Sequence, residues 1–224
     1  YSQLHEAGVY SVLVYQETYH QEVYKQYHPK GKKSNFIFRL ETPDRVARAG
    51  IHKIGLGVLL GLEDWRTDSF FNALHIDYLQ KMYWKSKYSV SFPRLRPAEG
   101  VEQPNFIMDD KDLLQLICAY RIWNEDLEVS ISTRENEKFR NNIIPIGVTS
   151  MSAASKTNPG GYLVNVESLE QFEISDDRSV DEIANLIKNA GNIDCGLVTD
   201  GDADRIGLYD AKGNFVDSHH IILL

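Results

Sequence analysis

Strand-like apolar runs recur along this chain, and most are followed by polar residues and then a helix-like stretch. Val9–Tyr15 is β-rich and mostly apolar, as a buried parallel strand would be. Thr42-Pro43-Asp44 reads as a cap with proline at the first helical position, and the helix it opens should end near Gly50. Ile51–Leu60 is the next strand. Ser69–Lys85 is a long helical pattern in which Phe70, Phe71, Leu74, Tyr78 and Leu79 recur on one side. Tyr88–Phe92 is a short strand closed by Pro93, and Asp109–Trp123 a helix with Leu113, Leu114, Ile117 and Tyr120 on its apolar face. Leu127–Ser132 and Ile143–Val148 read as two more strands. This rhythm predicts βα units on a parallel sheet, either a barrel or a doubly wound sheet. Function in such folds sits at the carboxyl ends of the strands.

Beyond Ser150 the pattern loosens. Ser150–Asp177 reads as loop and tail, and Ser179–Ala190 as a short helix with Ile183, Leu186 and Ile187 on one face, ended by Gly191. From Gly196 the order strand, acidic loop, strand, turn at Asp210–Gly213 and short strand implies local hairpins.

Composition narrows the function classes. With 224 residues, 42% hydrophobic and 25% charged, the chain can bury one good core. A formal charge of −8 leaves no basic face for nucleic acid. No apolar run reaches the ~18 residues of a membrane span. Two cysteines, Cys118 and Cys195, make a disulfide framework unexpected and a reducing cytoplasm the default. They also fall short of the three or four thiolates that a [4Fe–4S] cluster requires. The opening Tyr1 and the apolar end Ile221–Leu224 read as cut elements.

Polar groups gather where strands should end. Gln16, Glu17 and Tyr19 follow the first strand, Arg94 and Arg96 follow Tyr88–Phe92, and Ser132, Thr133, Arg134 and Glu135 follow Leu127–Ile131. An arginine so placed suits a substrate carboxylate, because its planar fork can pair both oxygens.

Several segments in one order carry a resemblance. Val14-Tyr-Gln-Glu-Thr-Tyr-His20, Phe38-Arg-Leu-Glu-Thr-Pro-Asp-Arg45 and Ala49-Gly-Ile-His-Lys-Ile-Gly-Leu-Gly57 are followed by Tyr88–Pro97, Ser132-Thr-Arg-Glu135 and Ser155-Lys-Thr-Asn-Pro-Gly-Gly161. Over residues 1–185 the chain closely resembles the carboxy-terminal half of the 2-iminoacetate synthases, the radical-SAM tyrosine lyases of thiazole and thiamine biosynthesis. The resemblance implies an α/β fold, half of a TIM-like (βα) barrel. In the family, a [4Fe–4S] cluster and S-adenosylmethionine initiate cleavage of tyrosine to 2-iminoacetate and p-cresol. It also implies roles. Gln16 and Glu17 would lie near adenosylmethionine, Arg134 would clamp the tyrosine carboxylate with Ser152 beside it, and Arg94 and Arg96 would line the cavity. Thiazole synthase is the partner it suggests. The family's Cys-x3-Cys-x2-Cys cluster motif is absent here, so no complete catalytic set is expected and the chain alone should be inactive.

A second resemblance begins after the last helix. Asp194–Leu208 and Gly213–Asp217, with Asp200, Asp202 and Asp204 at alternate positions and Arg205 behind them, resemble the α-D-phosphohexomutases. That resemblance implies Mg²⁺ on the three aspartates and a phosphate approached by Arg205. An EF-hand fails on spacing, because its sixth and twelfth positions would be Arg205 and Ala211. The expected organisation is a partial barrel over 1–149, its tail over 150–190 and a metal-loop fragment over 191–224. A recombined or misassembled reading frame would explain the join. The alternatives are a phosphohexomutase fragment with bound Mg²⁺ and a non-catalytic product whose exposed strand edges only associate.

Overall fold

A computed structural model describes residues 1–96, 104–157 and 174–190, together with the backbone of three later strands. The described chain forms two compact units whose boundary falls inside one strand.

In the first unit, α1 (Ser2–Glu6) precedes β1 (Ser11–Leu13), and α2 (Gln21–Tyr27), α3 (Phe36–Leu40) and α4 (Thr42–Arg48) lead into β2 (Lys53–Gly57). Helix α5 (Trp65–Met82), β3 (Lys87–Ser91) and α6 (Asp110–Trp123) follow. β1 pairs with β2 and β2 with β3, all parallel, with Gly55 opposite Leu13 on one side and Ser89 on the other. The caps follow local chemistry. Asp64 accepts the amides of Arg66 and Thr67 to start α5, and Asp109 accepts that of Asp112 to start α6. Gly50, at φ 86°, turns the chain out of α4 in a conformation that glycine adopts without strain.

The three strands have unlike faces. Ile54, Leu56 and Val58, with Tyr88, Val90 and Phe92, are buried on the side covered by α4 and α5. The alternate positions are Lys53, Gly55 and Gly57 of β2 and Ser89 and Ser91 of β3, small or polar throughout. Lys53 pairs there with Glu128. A barrel interior packed as a core would carry branched apolar residues at these positions. Here the glycines instead lie close under Leu13 and Tyr15, and the serines supply hydrogen-bonding groups.

The boundary strand β4 (Glu128–Ile131) pairs in parallel with β5 (Ser150–Met151), aligning Ser130 with Ser150. Between them lies α7 (Glu137–Ile143), and α8 (Val180–Asn189) follows. The strand expected over Ile143–Val148 is not formed. Asn136 instead caps a helix that buries Phe139 and Ile143, and the amides of Ile146 and Gly147 turn back onto the Ile143 carbonyl. Pro145, which has no N–H for a ladder, sits in that turn. Ser179 and Glu182 form a reciprocal capping box at the start of α8. The later strands β6 (Cys195–Thr199), β7 (Ile206–Asp210) and β8 (Phe215–Val216) form antiparallel hairpins in chain order, as the sequence implies. Among the described residues no helix is long and apolar enough to cross a membrane.

Helix α5 departs most from expectation. Phe70, Phe71, Leu74 and Tyr78 are exposed, whereas Asp68, Ser69, Asn72, Ile76 and Leu79 are buried. The apolar stripe points outward, and two of its members, Phe70 and Leu74, line a groove of about 620 Å³ with Leu116, Tyr120 and Trp123 of α6. None of the residues lining that groove is a candidate site residue.

Candidate functional site: the strand ends

At the end of β1 the amides of both Gln16 and Glu17 reach the Gly57 carbonyl, at 3.1 and 3.4 Å, while Leu59 donates to the Glu17 carbonyl at 2.8 Å. Two donors on one acceptor make a bulge, which re-aims the side chains that follow it. Glu17 has φ 73°, a left-handed conformation uncommon outside glycine. Its carboxylate is held by His28 Nε2 at 2.5 Å and Lys33 Nζ at 2.7 Å. Burial pushes this carboxyl up, but the hydrogen bonds and charges of Lys33 and His28 outweigh it and hold the group below the usual glutamate range. Gln16 is 4% exposed, and its Nε2 is a buried donor without a hydrogen-bond partner. An orphaned donor beside a strained, charged turn is a place where a ligand oxygen fits.

The turn is gripped from behind. Asp68 Oδ1 accepts the Thr18 hydroxyl at 3.0 Å and the Tyr19 amide at 2.7 Å. Farther along α5, Asn72 donates to the Tyr19 hydroxyl at 3.2 Å, and that hydroxyl lies 2.9 Å from His75 Nδ1. Burial raises Asp68 to about 6, against the bonds from Tyr19 and Thr18 and the nearby His20, with Glu63 adding to the rise. Its folded value therefore lies above that of an unfolded aspartate near ~3.9. Its contribution is most favourable below pH ~4 and declines as pH rises through about 6. Urea unfolding of Asp68→Asn should lack this decline, and the same decline in the variant would refute the assignment.

The arginines divide by environment. Arg94 is engaged at the start of α6, donating to the Met108 carbonyl at 3.2 Å and Asp110 at 2.7 Å. Arg96 donates to the Arg134 carbonyl at 2.7 Å and lies 3.4 Å from Glu135 Oε2, with its Nε buried and lacking a hydrogen-bond partner. Arg134 stands in the loop after β4, its amide 3.4 Å from Ser132 Oγ. The parallel register carries Ser152, at the end of β5, to the neighbouring strand end, with its amide on the Ile131 carbonyl at 3.1 Å. Ser132, Arg134, Arg96 and Ser152 thus gather at the β4–β5 ends.

This loop rests on a buried charge cluster that the strand pattern does not announce. Arg140 and Asp176 form an ion pair with both side chains 0% exposed, and Arg140 also donates to the Ser152 carbonyl. Arg178 adds bonds to Asp176 at 2.8 and 2.5 Å. The Ser175 and Asp176 amides donate to the Thr133 carbonyl at 2.9 and 3.1 Å. Burial pushes Asp176 up, but Arg178 and Arg140 more than offset this and keep it below the usual aspartate range.

Asp200, Asp202, Asp204 and Arg205 lie outside the described residues. Among the described residues no group of three or more His, Cys, Asp or Glu could hold a metal ion. Cys118 is a half-buried free thiol on α6. Two cysteines in the chain do not fit a [4Fe–4S] cluster.

Parallel strands followed by helices, with polar groups at the strand ends, make this the α/β fold expected for the carboxy-terminal part of a radical-SAM barrel. The particular proteins that the chain resembles are 2-iminoacetate synthases. It is 52% identical over 192 residues to the enzyme of Escherichia coli strain K12 and 50% identical over 192 residues to that of Salmonella typhimurium. Each match covers 85% of this chain and 51% of the relative, so the chain spans about half the length of the curated relatives it matches. Residues 91–193 match the Biotin and Thiamin Synthesis associated domain. Among solved structures, HydG, a maturase of the [FeFe]-hydrogenase, matches with a TM-score of 0.78 and 34% identity, covering 88% of this chain and 42% of that one. HydG from Carboxydothermus hydrogenoformans matches with a TM-score of 0.77 and 33% identity, covering 88% and 44%.

Proposed function

We propose that this chain supplies the tyrosine-binding and adenosylmethionine-facing part of a tyrosine lyase that yields 2-iminoacetate and p-cresol for thiazole synthesis in a reducing cytoplasm. The observation that carries the reading is the convergence of Ser132, Arg134, Arg96 and Ser152 at two adjoining strand ends. Arg134 pairs the substrate carboxylate, Ser152 hydrogen-bonds it, and Arg96 fixes the loop by gripping the Arg134 carbonyl. Gln16 and Glu17 are the adenosylmethionine side, where the free Gln16 amide donates and the Glu17 carboxylate accepts. The Arg94 guanidinium, expected on the cavity, is engaged with Asp110. Adenosylmethionine, when bound together with a cluster that this chain's own residues do not fit, supplies hydrogen abstraction from tyrosine. The chain's residues bind, orient and exclude water, and alone they turn nothing over. By the same reading the product passes to a thiazole synthase.

Nuclear magnetic resonance with L-tyrosine and tyramine tests the carboxylate clamp. L-tyrosine should shift the Ser132–Glu135 and Ser152 amides, whereas tyramine, which has no carboxylate, should not. Arg134→Ala should weaken tyrosine binding by about tenfold to hundredfold, the worth of a charge-assisted bond. Equal binding of both ligands would refute the clamp.

The hairpin carries a second reading. Register pairs Thr199 with Ile206, so the segment joining β6 and β7 contains Asp200, Asp202, Asp204 and Arg205. Three carboxylates so close favour a hard cation. Mg²⁺ should shift the Thr199 and Ile206 amides, and unchanged amides at millimolar Mg²⁺ would end this reading.

A further inference from the structure

Asp68 lies on a helix that contributes no candidate site residue, yet it is 2% exposed and bonded to the two residues directly after Glu17. The backbone at Glu17 is left-handed without glycine, a conformation that persists only where the surroundings over-determine it. Gly57 at the end of β2 and Leu59 just beyond it fix Glu17, through bonds from its amide and to its carbonyl. On the other side of the turn, Thr18 is 0% exposed, and its Oγ1 both donates to Asp68 and accepts the His20 amide at 3.1 Å. Asn72 and His75 hold the Tyr19 hydroxyl, while Tyr120 donates to the Asn72 side-chain oxygen at 3.2 Å and to the Ser69 carbonyl at 2.5 Å. Positions 68, 72 and 75 are spaced at one and two helical turns, so a single stripe of α5 carries the grip. This also explains why α5 turns a polar face inward and leaves Phe70, Phe71 and Leu74 outside.

We propose that Asp68 is a positioning residue for Glu17: by holding Thr18 and Tyr19 from α5, it maintains the turn that presents the Glu17 carboxylate at the strand end. Its importance for function rests on the reading of Glu17 as an adenosylmethionine-side group. The hydrogen bonds themselves do not depend on that reading. Asp68 acts as a double acceptor. An alanine removes both bonds, whereas an asparagine keeps an oxygen in the same place.

The test follows the Glu17 carboxyl carbon by ¹³C resonance through an acid titration, in the chain without adenosylmethionine. In the wild type Glu17 titrates below the ordinary glutamate range. In Asp68→Ala the turn relaxes, Glu17 leaves Lys33 and His28, and its titration moves up into the ordinary glutamate range. Asp68→Asn restores the low value. A role confined to stability would lower the melting temperature of Asp68→Ala and leave the Glu17 titration of the folded chain in place. That result overturns the proposal. Where Asp68→Ala does not fold, Thr18→Val decides by the same reading, because it removes one of the two bonds to Asp68 together with the acceptor of the His20 amide. An upward shift supports the proposal and an unmoved Glu17 overturns it. Adenosylmethionine is then added to the wild type as a separate experiment. If Glu17 does not respond, the cofactor reading fails while the positioning result stands.

Discussion

Asp176→Ala is expected to destabilise the second unit by about 3–5 kcal/mol, the cost of leaving a buried charge without its partner. Arg140 has no access to water, and its remaining acceptor would be the Ser152 carbonyl. Arg178→Ala should cost clearly less, because that side chain is partly exposed and Arg140 keeps Asp176. The effect also has a pH signature. The folded Asp176 carboxyl lies below its unfolded value, so its contribution is complete above pH ~4 and is lost as pH falls through the folded value. Urea unfolding at neutral and acid pH measures both effects. A variant as stable as the wild type at neutral pH would mean that the cluster does not anchor the fold. The site should suffer too. Asp176 and Ser175 hold the Thr133 carbonyl and Arg140 holds that of Ser152, so the loop bearing Arg134 loses its footing.

Gly57→Ala should cost about 3 kcal/mol, at the upper end of overpacking effects. A Cβ at Gly57 would sit 2.4 Å from the Ser91 carbonyl oxygen and 2.9 Å from the Tyr15 ring, and the carbonyl belongs to the paired strand and cannot yield. Gly55→Ala provides the control. Its Cβ would meet the Leu13 methyl at 2.1 Å, but Leu13 is a half-exposed side chain on the neighbouring strand and can rotate away. The order Gly57 above Gly55 is the expected result by urea unfolding. Equal costs would show that β2 and β3 can separate locally. The Gly57 carbonyl is also the shared acceptor of the Gln16 and Glu17 amides, so strain at this position reaches the turn that bears Glu17.

Much of the fold was legible because βα units announce themselves through period and caps. Asp64 and Asp109 start α5 and α6 close to where the apolar periodicity begins, and the hairpins after Gly196 follow their turn residues. The face of α5 was not legible. Its strongest apolar stripe, Phe70, Phe71, Leu74 and Tyr78, is exposed, because the inward face serves the turn at Thr18 and Tyr19. Hydrophobic pattern cannot register a helix whose buried side mixes Asp68, Ser69 and Asn72 with Ile76 and Leu79. Ile143–Val148 misled for a related reason, since a run of isoleucines looks like a strand until Asn136 and Pro145 are weighed. At the site, Gln16, Glu17 and Arg134 stood out by following strands. Arg140 and Asp176 did not, because 36 residues separate them and neither falls at a strand end. The φ of Glu17 left no trace in the sequence, since no glycine marks it.

The most direct test joins the amino-terminal half of the Escherichia coli 2-iminoacetate synthase to residues 1–190 of this chain, with the cluster reconstituted without oxygen, and measures p-cresol formed from tyrosine and adenosylmethionine. Tyrosine-dependent p-cresol that is lost on Arg134→Ala is the expected result. A folded chimera that carries its cluster and cleaves adenosylmethionine, yet forms no p-cresol, would contradict it.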